Sequence, residues 1–175
     1  KLKKMKFLKF ISIVFLSFGI FPPITAVLSE KNDSANYKVL SSTNQSFSIA
    51  NVESYIVEGD KFVKIGDFEK AKTSFKKARN LSKKLAIFYL DINNSFKGKD
   101  ARIPNEMQQK GLEILKIQAK SNERLAAIHL RDQEPEVAVP LLVEIIRIMS
   151  PSSIEGKKAY KNLIKLGFVE TPYKG

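Results

Sequence analysis

Residues 55–78 read YIVEGDKFVKIGDFEKAKTSFKKA, and this stretch decides the fold class. Tyr55, Gly59 and Phe62 recur at spacings of four and three, which places them on one face of a helix. Gly66-Asp67 supplies a turn, and Phe68, Ala71, Phe75 and Ala78 then line one face of a second helix. The residue types state the packing rule. Gly59 and Ala71 are small enough to let two antiparallel helices approach closely, and the rings of Tyr55, Phe62, Phe68 and Phe75 fill the space that remains. The stretch reads as an αα-hairpin.

This pattern resembles the tetratricopeptide repeat. In that family an aromatic, a Leu-Gly pair and a second aromatic are followed by an Ala, an aromatic four residues on, and a closing Pro. Here the positions are held by Tyr55, Gly59, Phe62, Ala71, Phe75 and Ala78, with Glu58 in place of the leucine and Lys83 where the proline is expected. A weaker copy puts Leu125, Ala126 and His129 on a first helix, and Ala138, Leu142 and Ile145 on a second. Ala71 and Ala138 are 67 residues apart, about two periods of a ~34-residue repeat. A divergent unit is therefore expected over 85–118, with helices at 82–97 and 104–116. Ser121-Asn122 either breaks the helical stretch 104–133 or lies inside one continuous helix.

The final helix is expected to start at a capping box, Ser152-x-x-Glu155, and to stop at Gly167. Tyr160, Leu163 and Ile164 face inward on it, and Lys157, Lys158, Lys161 and Lys165 face water. The expected architecture is all-α over 51–171: an α-α superhelix of about three hairpins plus a C-terminal capping helix.

Residues 5–26, MKFLKFISIVFLSFGIFPPITA, have a lysine-bearing start, an apolar stretch from Phe10 to Phe21, two prolines and a candidate cleavage site at Ala26. Residues 1–26 therefore read as a signal peptide. The rival is an uncleaved anchor, but a spanning helix needs ~20 apolar residues. Residues 27–50 are rich in Ser and Asn without apolar period, the composition of a disordered linker. The expected location is outside the cytoplasm, in a periplasm or a thylakoid lumen.

The chain carries +12, and the first 26 residues contribute five lysines and no acid, which leaves +7 on the remainder. Export argues against nucleic acid as the partner more strongly than +7 argues for it. The absence of cysteine excludes disulfides, thiolate metal sites and thiol nucleophiles. His129 is the only histidine, at a packing position with no nucleophile motif around it. Asp91 to Arg102 fails the calcium-loop pattern at its glycine and its closing glutamate, and Gly98-Lys99 lacks the rest of a phosphate loop. The carboxylates Asp132, Glu134 and Glu136 read as a solvated helix face. No catalytic residue, metal or cofactor is expected.

The repeat resemblance implies a concave surface that binds peptides or protein segments. Carried over by position, its groove comprises Ile56, Asp60, Val63 and Lys64 from the first unit and Lys120, Glu123, Ala127, Leu130 and Arg131 from the last. One subset of the family clamps a terminal carboxylate with a Lys and an Asn; Ile56 and Asp60 stand there instead. The expected partner is an extended protein segment with some acidic character, and Lys64 and Arg131 are its foremost contacts. The expected role is a scaffold for an envelope or photosynthetic membrane complex, and a composition similar to that of small marine cyanobacterial proteins favours the photosynthetic version. The alternative is a peripheral membrane protein, held by its N-terminus and by the basic helix surface of Lys70, Lys72, Lys76 and Lys77.

Overall fold

The computed structural model describes residues 45–175. The signal segment 1–26 and the linker as far as residue 44 lie outside the described residues. Five helices follow one another: α1 Ile49–Lys64, α2 Phe68–Phe96, α3 Arg102–Arg131, α4 Pro135–Met149 and α5 Ile154–Lys165. Among the described residues there is no strand.

The helix ends follow local chemistry. A short 3-10 turn, Gln45–Phe47, precedes α1, and the Ser48 hydroxyl accepts the Asn51 N–H at 3.2 Å. This cap starts the helix inside the stretch that composition assigned to the linker. The Asp67 carboxylate caps α2 by accepting the Lys70 N–H at 3.1 Å. Ser153, one residue later than the expected Ser152, caps α5 by accepting the Gly156 N–H at 2.9 Å. Ser153 has the extended backbone (ψ 163°) that an N-cap requires.

α1, α3 and α5 all end in the same motif. The N–H groups of Asp67, Glu134 and Phe168 reach back to the carbonyls of Phe62, His129 and Leu163 at 2.9, 2.8 and 3.1 Å. Each motif needs one left-handed residue, supplied by Gly66, Gln133 and Gly167 at φ 79°, 61° and 76°. These positions are 67 and 34 residues apart, multiples of a ~34-residue period.

The middle of the chain departs from the expected separate helices. The segments 82–97 and 104–116 are present as helix, but each is fused to its neighbour. α2 is 29 residues long and runs through Lys83, where no proline interrupts it. α3 is 30 residues long and runs through Ser121-Asn122. Ser82 and Ser121 return their hydroxyls to the carbonyls of Ala78 and Ile117, at 2.7 and 3.0 Å, so neither competes with the helix ladder. The second hairpin therefore projects as the distal end of α2 and α3, and the first and third units meet directly.

The helices form two layers. In one, Asp60 of α1 pairs with Arg124 of α3 at 2.9 Å, and Glu123 of α3 pairs with Lys158 of α5. In the other, Glu144 of α4 takes Arg79 and Lys83 of α2. Between them lies one core, in which Val52, Ala71, Phe75, Ala78, Ile114 and Ala138 are fully buried and Leu85, Leu125, Ala126 and Leu142 nearly so. Tyr55, Phe62 and Phe68 pack partly buried against it. Gly59 is buried where a Cβ would overlap the Phe75 ring, so the close approach read from the sequence holds at this contact. Among the described residues no helix is long and apolar enough to cross a membrane.

Candidate protein-binding groove

α3 and α5 stand side by side over α4, and a cleft of about 450 Å³ opens between them. Leu142 and Ile145 of α4 line its apolar part. Lys116, Lys120, Glu123 and Arg124 come from α3, and Glu155, Lys158 and Asn162 from α5. A second cleft of about 260 Å³ continues along the same two helices, lined by Ala127 and Leu130 of α3 and by Lys165 and Leu166 of α5. Glu123, Leu142 and Asn162 border both, so the two form one groove with a waist.

The charge of the groove is not evenly spent. Arg124 is engaged by Asp60, and Lys158 by Glu123. Among the described residues Lys116 and Lys120 have no ion-pair partner, and both are exposed. An apolar floor, two free cations and a flanking asparagine can hold an extended chain that offers a carboxylate and an apolar side chain.

The structure distributes the nine expected groove residues unevenly. Lys120, Glu123, Ala127 and Leu130 lie along the groove. Asp60 reaches it only through its ion pair with Arg124. Ile56 does not line it: it is 3% exposed and belongs to the core, because α1 turns that face toward α2. Val63 likewise packs against the core, and Lys64 is exposed in the last turn of α1, away from the clefts. Arg131 stacks its guanidinium on the Phe68 ring at 3.5 Å and bonds Asp132 at 3.1 Å, so it joins the end of α3 to the start of α2 instead of facing the groove. Comparison with protein families, with characterised proteins and with solved structures finds no match to this chain.

Lys116, Arg124, Lys158 and Asn162 were missed. Lys116 and Arg124 share a helix face with Lys120 and Ala127, so periodicity could have found them. Lys158 was assigned to water, and Asn162 was given no role, because nothing local in α5 reports that α3 lies beside it.

Several polar groups outside the groove tie the helices together. His129 is 7% exposed, and its Nδ1 lies 2.6 Å from the Glu134 carboxylate, which holds the α3–α4 turn. Of the basic surface on α2, Lys72 is shared by Glu69 and Asp132, Lys70 is paired with Asp67, and Lys77 lies over the Tyr55 ring. Among the described residues no group of His, Asp and Glu is arranged to hold a metal ion.

Proposed function

We propose that the chain is a non-enzymatic protein-interaction module, a scaffold or adaptor of tetratricopeptide type, whose groove between α3 and α5 holds an extended protein segment of acidic character. The observation that carries this reading is the pair of unpartnered cations, Lys116 and Lys120, beside the apolar floor of Leu142 and Ile145. The hairpin signature at 55–78 and the periodic helix ends supply the repeat character.

Charge reversal tests it. Acidic peptides carrying one apolar anchor should bind the full chain, with affinity falling as salt is raised to ~0.5 M, where screening acts within a few ångströms. Lys116→Glu with Lys120→Glu should weaken binding by about 100-fold, roughly 1.4 kcal/mol per site, within the range of charge-assisted contacts. Unchanged binding by the double variant defeats the groove assignment.

We place the module outside the cytoplasm, in a periplasm or thylakoid lumen, in the assembly of a membrane complex; this rests on residues 5–26. N-terminal sequencing of the protein from its native cell should give a mature chain starting at Val27, and a retained segment defeats cleavage. The peripheral-membrane alternative has less support, because three of its four lysines are engaged within the fold.

A further inference from the structure

The distal hairpin carries a second surface of different chemistry. Arg79 and Lys83 of α2, with Gln118 of α3, grip Glu144 where α4 lies across the two long helices. Stepping outward by three and four residues from these contacts gives Ala86 and Leu90 on α2, and Leu115, Gly111 and Met107 on α3. These residues border a groove of about 600 Å³. It is thus the straight continuation of the seam that α4 fills, on the same faces of the same helices. Beyond α4 none of the described residues covers it.

Its chemistry is unlike that of the rest of the molecule. In a chain of net charge +12, only one of the twelve residues that border this groove is charged, Lys97, at its tip. Ile87, Leu90 and Leu112 stand out of it at 60%, 57% and 52% exposure. Ala86 and Gly111 leave recesses beside them. One patch therefore holds both projecting side chains and hollows of matching chemistry, the requirement for a surface that pairs with its own copy about a two-fold axis. Two basic molecules meeting at this groove bring few like charges together, since Lys97 is its one charged residue.

We propose that the distal hairpin is a two-fold self-association surface, in which the α2–α3 end of one copy packs antiparallel over that of a second and completes a four-helix arrangement. This does not depend on the α3–α5 groove, which lies on α3's opposite half.

The full chain at micromolar concentration should show twice its 19.8 kDa mass by light scattering. Leu90→Asp with Leu112→Asp should return it to one chain, with helical circular dichroism unchanged, since both side chains are more than half exposed. The chain has no cysteine, so single cysteines report without background. Leu112→Cys should form an inter-chain disulfide under mild oxidation, and Val57→Cys on α1 should not. A single-chain mass at every concentration up to ~100 µM overturns the proposal. So does a dimer that persists in the double aspartate variant, and so does cross-linking of Val57→Cys as efficient as that of Leu112→Cys.

Discussion

Glu144 is the residue on which the second layer turns. Its side chain is 8% exposed, and it accepts hydrogen bonds from Arg79, Lys83 and Gln118. Burial alone would raise its pKa, but the hydrogen bonds from Lys83 and Arg79 outweigh burial and hold it at about 2, against an ordinary 4.5. A depressed carboxylate contributes stability above its unfolded pKa and loses it as pH falls through the folded value. Urea unfolding at pH 7 should therefore show Glu144→Gln destabilised by about 2–3 kcal/mol. That difference should shrink between pH 4.5 and pH 2, the window set by the two values. A difference independent of pH would show that shape, not charge, explains the loss. Gln133 offers a prediction of opposite sign. It holds φ 61° in a cap where α1 and α5 use glycine, and its side chain is exposed. Gln133→Gly should raise stability by about 1 kcal/mol, and Gly66→Gln should lower it by about as much. Both are read from urea midpoints.

At the scale of elements, the long helices are the feature that shapes the molecule. Their continuity comes from what is missing: neither proline nor glycine occurs in α2, and none occurs in α3 between Gly111 and Arg131. Lys84 is exposed and has no ion pair among the described residues, so replacing its side chain removes no charge contact and the variant reads the backbone itself. Lys84→Pro should cost ~3 kcal/mol through the lost hydrogen bond and the clash with the preceding turn. Hydrogen exchange should quicken first in 86–115, the part that α1 and α4 do not brace. Uniform loss of protection would mean that the distal hairpin and the body unfold as one unit.

Across the whole molecule, each layer is made of helices that are not adjacent in sequence, and the α3–α5 groove exists only because of that. The Lys116 and Lys120 reversal belongs to this scale: it tests a surface built from two helices over a third, and it should leave the urea midpoint within about 0.5 kcal/mol, since both sites are exposed and unpaired. The close contact of the first hairpin was legible at Gly59, Ala71, Phe75 and Ala78, because small and aromatic residues at helical spacing encode a contact between chain neighbours. The groove was legible in part. Lys120, Glu123, Ala127 and Leu130 follow from the period of α3, whereas Ile56 was misplaced because periodicity shows that a face is apolar and not which neighbour covers it.

The sequence by itself determined the helical character of the body and the close contact of Gly59 with Phe75, since both arise within a few turns of chain. Tertiary structure decided how the units meet. Whether a second hairpin folds back or runs straight depends on whether a continuous helix is worth more than stacked apolar faces. That balance is struck between residues such as Arg79, Gln118 and Glu144, which lie far apart in the chain and come together only once α4 has packed.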